Sequence, residues 1–207
     1  MAAVRSGLAE LLGAPEGYQI VVGMGGTNAF WDAASFGLIR DRGAFAVCGE
    51  FSAKFATVAR KAPFLADPIV AEVEPGTSVQ LITSHGVDTY CWAQNETSTG
   101  VATPVRRVPG SGEELMLVDA TSAAGGMAAE VAAADVYYFS PQKNFGSDGG
   151  LWLGAFSPAA IERIERIGAS GRWIPDFLQL TTALENSRKN QTYNTPALAT
   201  LVMLDEQ

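Results

Sequence analysis

Residues 18–40 read YQIVVGMGGTNAFWDAASFGLIR. The first six form a short apolar run of strand type. The glycines that follow open a helical pattern at about Thr27, which ends near Arg40. A strand that turns through glycine directly into a helix is the repeating unit of an α/β fold, and the unit recurs along the chain. Residues 2–12 have apolar positions at helical spacing, stopped by Gly13 and Pro15. AFAVC (44–48) predicts a strand and GEFSAKFATVARK (49–61) a helix. DPIVAEV, VDTYCWA, ELMLVDA and DVYYFS are further short apolar or β-branched runs, each bounded by Gly, Pro, Ser or Asp. LWLGAF (151–156) predicts another strand, and helices are expected from Pro158, Asp176 and about Thr195. This order predicts a three-layer α/β sandwich with a mostly parallel, mixed sheet. No internal repeat or low-complexity linker divides the chain, so residues 1–207 read as one domain.

Composition narrows the functions open to it. Hydrophobic residues make up 47% and charged residues 17% of the 207, a globular balance with enough length for a real core. The net charge of −8 argues against a general nucleic-acid or anionic-membrane surface, so an anionic ligand must be met by local donors. Cys48 and Cys91 are far apart and His85 is the only histidine, too few ligands for a zinc or iron–sulfur site, and no metal is expected. Both cysteines read as small core residues and His85 as a turn residue. No signal peptide or membrane span is recognised, which predicts a cytoplasmic protein. The chain starts on a helix and stops inside the apolar run TLVMLDEQ, which reads as a piece of a longer protein.

In open α/β sheets, ligands sit beyond the carboxyl ends of parallel strands. Four candidate groups fall at such ends: the Gly25-Gly26-Thr27 turn, Thr97 after VDTYCWA, Asp119 ending LMLVD, and Lys143 in SPQKNFGSDGG (140–150). They are expected to converge on one crevice. The turn lacks the Lys-Ser/Thr of a P-loop and the third glycine of a dinucleotide fingerprint, so it suits a single phosphate rather than a nucleotide. Asp119 reads either as a strand terminator or cap, or as a carboxylate paired with a cationic nitrogen. Lys143 reads either as a solvated loop residue or as an amine held in a pocket. A phosphate cup, a carboxylate and an amine in this order describe a pyridoxal phosphate site.

The segments GGTNAFWDAA, GEFSAKF, QNETSTGV, VDATSAAGG, SPQKNFGSDGGLW and KNQTYNTPA resemble phosphoserine aminotransferase in content and order, most of all its actinobacterial form. The likeness runs from the first residue to the last. It implies the large domain of a type I pyridoxal phosphate aminotransferase that works as a homodimer. It also implies that the family's N-terminal segment and C-terminal small domain, with their substrate-gripping basic residues, lie outside residues 1–207. By the same resemblance Lys143 is the lysine that carries the cofactor and Asp119 the partner of the pyridine nitrogen. Thr97 bonds the ring hydroxyl, and Gly26, Thr27 and Gln142 contact the phosphate. Asn194 and Thr195 reach the phosphate of the neighbouring subunit. Phe51 stands where many relatives stack tryptophan on the ring, and Thr27 where some have arginine. The implied reaction moves an amino group from glutamate to 3-phosphohydroxypyruvate, giving phosphoserine and 2-oxoglutarate in serine biosynthesis.

Two rivals are weighed beside it. A cysteine desulfurase or another type I aminotransferase is the nearest, but a desulfurase calls for histidine at Gln142 and a reactive loop cysteine. The other is a non-catalytic, cofactor-binding fragment. Asn194 also has a plain reading, as an N-cap before a helix opened by Pro196.

Overall fold

The computed structural model describes residues 1–207. Along the chain lie α1 (Ala2–Leu11), β1 (Gln19–Met24), α2 (Gly26–Gly37), β2 (Gly43–Val47), α3 (Glu50–Lys61), β3 (Ile69–Glu72) and β4 (Thr89–Ala93). A short hairpin of β5 (Asn95–Glu96) and β6 (Val101–Ala102) follows. The chain then continues through β7 (Leu115–Asp119), β8 (Val136–Phe139), β9 (Leu151–Phe156), α4 (Pro158–Gly168), α5 (Leu180–Arg188) and α6 (Leu198–Asp205).

Seven strands form one sheet in the order β1-β9-β8-β7-β4-β2-β3. β9 runs antiparallel to both of its neighbours, and every other adjacent pair is parallel. The mixed, mostly parallel sheet read from the sequence is therefore present. Because side chains alternate along a strand, each central strand feeds both faces. Phe45, Cys91, Leu117 and Tyr138 pack under α2, α3, α4 and α5. Ala46, Trp92, Val118 and Phe139 face the opposite way, toward α1 and α6. The central strands are buried along both faces, which is why they read as continuous apolar runs rather than alternating ones.

Two expected helices start later than the sequence suggests. Asp176 opens only a single 3-10 turn, Asp176–Leu178, and extended backbone at Gln179 delays α5 to Leu180. The last helix begins at Leu198 rather than near Thr195. Pro196 disfavours helical backbone at the residue before it, and Ala197 is itself extended and serves as the cap. Asn194 is accordingly not an N-cap.

The ends of the sheet are held by buried charges. Asp88, just before β4, accepts the backbone N–H groups of Arg40, Asp41 and Arg42 and pairs with Arg163 of α4 at 2.9 Å. Arg172 donates to the carbonyls of Phe36 and Ile39, the unsatisfied acceptors at the end of α2. These contacts fix the far end of α2, whose near end forms part of the cleft.

Candidate active site

A cleft of about 380 Å³ opens at the carboxyl ends of the parallel strands. Gly26, Thr27, Phe51, Thr97, Asp119, Gln142 and Lys143 all line it, together with Trp31, Asn95 and Thr121. Its size is that of an ordinary small-molecule site.

One wall is the first turn of α2. Gly25 has φ of 96° and Gly26 of 69°, and a β-carbon at Gly25 would come 2.6 Å from that of Ala29. Glycine is required there by both conformation and space. The first-turn amides of an α-helix have no intrahelical acceptor, and no side chain caps this one. Thr27 is buried, and its hydroxyl lies 2.8 Å from that of Thr121 and 3.0 Å from that of Ser140.

Asp119 closes β7. One of its oxygens accepts the backbone N–H of Thr121 at 2.9 Å, and the other accepts the indole N–H of Trp31 at 3.0 Å. The first bond is that of a strand terminator, and the side chain also lines the cleft. Burial pushes its carboxyl above the ordinary aspartate value, against the pull of the Thr121 and Trp31 donors. No lysine or arginine pairs with it. The Tyr138 hydroxyl, on the strand beside it, is buried without a hydrogen-bond partner.

Lys143 lies in the connection from β8 to β9. Its backbone is held on both sides. Phe145 is buried and stacks on Phe139 at 4.9 Å, and the Asn144 amide donates to the carbonyls of Ser122 and Ala124. The Ser147 hydroxyl donates to the carbonyl of Thr200 in α6. The lysine side chain is exposed to the cleft and makes no ion pair. It is a pocket residue on a fixed turn, rather than a buried amine.

The opposite wall carries Phe51 and Thr97. Phe51 is 36% exposed at the start of α3, and its backbone N–H donates to Glu96. Thr97 bonds the hydroxyl of Ser122, which also receives the amide of Asn95. Glu96 itself is fully buried and accepts from the Ser52 and Ser98 backbone and hydroxyl groups. Burial pulls its carboxyl upward, but these bonds outweigh burial and leave it below the usual glutamate value.

Sequence reasoning did not single out Trp31, Thr121, Ser140 or Glu96. Trp31 could have been found, because it lies four positions after Thr27 and so on the same face of a helix. Glu96 has no such signal, since its role depends on a helix start far away in sequence. Asn194 and Thr195 are exposed between α5 and α6 and do not line the cleft. Cys48 and Cys91 are buried, and burial raises both thiols above their ordinary value. His85 is exposed in a turn.

A mostly parallel sheet brings a lysine turn, a strand-end aspartate and a glycine-opened helix around one cleft, an arrangement that suits an aminotransferase. The aminotransferase class-V family matches residues 1–206, and the chain belongs to that family. It is 58% identical over 207 residues to the phosphoserine aminotransferase of Rhodococcus jostii and 57% identical to that of Rhodococcus opacus, covering 56% of each. The chain therefore spans about half the length of these curated relatives. Among solved structures, a phosphoserine aminotransferase from Cytophaga hutchinsonii superposes with a TM-score of 0.91 at 23% identity, over 99% of this chain and 58% of that one. The ureidoglycine-glyoxylate aminotransferase of Bacillus subtilis gives 0.83 at 21% identity, over 99% of this chain and 55% of that one. At those identities the structures speak to the fold, which they share with this chain.

Proposed function

We propose that the protein is a phosphoserine transaminase that moves an amino group from glutamate to 3-phosphohydroxypyruvate, and that residues 1–207 are its cofactor-binding large domain. The observation that carries the reading is the presence of Lys143, Asp119 and the α2 N-terminus around one cleft. Pyridoxal phosphate fits what lines it. A buried carboxylate without a cation suits a protonated ring nitrogen, the glycine cradle and first-turn amides suit a phosphate, and Phe51 offers an apolar face to a ring.

When bound, that cofactor supplies a carbonyl to take up an amino group and a protonated ring to draw electrons from a substrate α-carbon. The chain's own residues do the rest. Asp119, ionised, favours a positive charge at the cleft floor. The amine of Lys143 would hold the cofactor and, once the incoming amino group has displaced it, would be free to act as the base that moves the proton at the substrate α-carbon. Gly26, Thr27 and Gln142 hold the phosphate, and Thr97 meets the ring hydroxyl. Asn194 and Thr195, away from the cleft of their own chain, complete the phosphate site of a second copy, which makes the working form a homodimer. The reading includes a cytoplasmic location. The basic groups that grip the doubly or triply anionic substrate belong to an N-terminal segment and a small domain outside these residues.

The test adds pyridoxal phosphate, follows its absorbance, and then adds glutamate to look for conversion of the bound cofactor and formation of 2-oxoglutarate. Phosphoserine formation is compared between this chain and a version extended at both ends. The extended protein should form phosphoserine and this chain little or none. Absence of cofactor binding to either would overturn the reading.

A further inference from the structure

Two contacts one helical turn apart join α2 to the turn that follows β7. Thr27 bonds Thr121 at 2.8 Å, and Trp31 bonds Asp119 at 3.0 Å. Residues four apart lie on the same helix face, so this face grips the 119–121 turn at two points. The same helix presents its N-terminus to the cleft. Its rotation is fixed independently, because Trp31 is 3% exposed and its ring lies parallel to Phe55 of α3, 6.0 Å away and inclined by 14°. The far end is held by Arg172.

We infer that Trp31 is a positioning residue that sets the carboxylate of Asp119 at a fixed distance from the N-terminus of α2. Resting on the proposed function, this makes α2 a ruler between the two ends of the cofactor, with the phosphate at its first turn and the ring nitrogen opposite its second. The indole N–H is a neutral donor in an apolar setting. It orients one carboxylate oxygen and favours the ionised form without neutralising it as lysine or arginine would. The other oxygen is bonded by the backbone N–H of Thr121, so Trp31 is the contact that ties the carboxylate to α2. The titratable groups facing Asp119 are Tyr138 beside it, Cys91 behind Tyr138, and Lys143 in the cleft.

The test uses Trp31→Phe, which keeps an aromatic ring against Phe55 and removes the N–H, alone and combined with Asp119→Asn. Two quantities are read: the Asp119 carboxyl titration in cofactor-free protein, by carbon NMR of labelled aspartate, and the dissociation constant for pyridoxal phosphate. Loss of a hydrogen bond to a charged group should weaken cofactor binding about tenfold. In Trp31→Phe the Asp119 titration should also move to higher pH, because a donor to the ionised form is gone. In the Asp119→Asn background, Trp31→Phe should change affinity little, since its effect passes through the carboxylate. Additive losses, or an unmoved Asp119 titration, would overturn the positioning role and leave Trp31 as packing. If Trp31→Phe unfolds, Phe55→Leu, which frees the indole while keeping its N–H, must shift the same titration or the idea fails. Wild type that binds no pyridoxal phosphate sinks the proposed function, whereas wild type and Trp31→Phe that bind it equally well sink only the ruler.

Discussion

Gly49 packs so closely against Glu96 that a β-carbon at position 49 would sit 2.5 Å from Glu96 Cγ. The backbone of Gly49 is fully extended, so space rather than backbone conformation excludes a side chain there. Gly49→Ala is expected to destabilise the fold by about 2 kcal/mol, the usual cost of forcing a methyl into a filled site. It should also displace Phe51, whose amide is held by the same glutamate. Urea unfolding measures the first effect and quenching of cofactor absorbance or affinity the second. Unchanged stability would mean the α3 start yields more readily than its geometry suggests.

Glu96 makes that corner sensitive to acid. Its folded-state value lies below the ordinary one, so its ionised form stabilises the fold above the unfolded value of about 4.3, and that contribution is lost as pH falls through the folded value. The difference in unfolding free energy between wild type and Glu96→Gln should be constant above pH about 5 and shrink below pH about 4.3. A difference that instead grows on acidification contradicts the ionised cap.

Lys143 is the only lysine lining the cleft. Borohydride reduction of cofactor-loaded protein followed by peptide mapping should place the label in SPQKNFGSDGG. Lys143→Ala should abolish labelling without loss of fold, because the side chain is exposed and its turn is held by Phe145 and Asn144. A label on Lys54, Lys61 or Lys189 rules the assignment out.

Asn194 and Thr195 lie outside the cleft of their own chain, so their proposed role requires a second copy. Mixed dimers of the extended protein, one subunit carrying Lys143→Ala and the other Asn194→Ala, should regain one intact site of the two in each mixed dimer. Mixtures no more active than either parent would refute the contact in trans.

Much of this was readable from the chain. Strands buried on both faces announce themselves as apolar runs, and the glycines of 25–26 mark a turn whose conformation only glycine adopts readily. LWLGAF was legible as a strand, but its antiparallel direction was not, because a buried strand has the same composition either way. The Lys143, Asp119 and Gly26 positions followed from strand ends. Glu96 stayed hidden because it acts on a helix start distant in sequence, through a contact set by packing, whereas Trp31 was marked by its spacing from Thr27 but not by its partner Asp119. The starts of α5 and α6 were misjudged where Gln179 and Ala197 adopt extended backbone that their residue types do not dictate.

β1 is an edge strand whose only neighbour in the sheet is β9, and the Gly25 amide is tied to the carbonyl of Gly150 at 2.8 Å. During vectorial synthesis the glycine turn emerges early but has no strand to pair with until residues 151–156 follow. Contacts so separated in sequence close late. The phosphate cup is thus translated well before it can be assembled, in the same pairing that draws the lysine-bearing connection shut. A chain released before residue 150 holds the pairing partners of β2, β3, β4, β7 and β8 while the cup stays open.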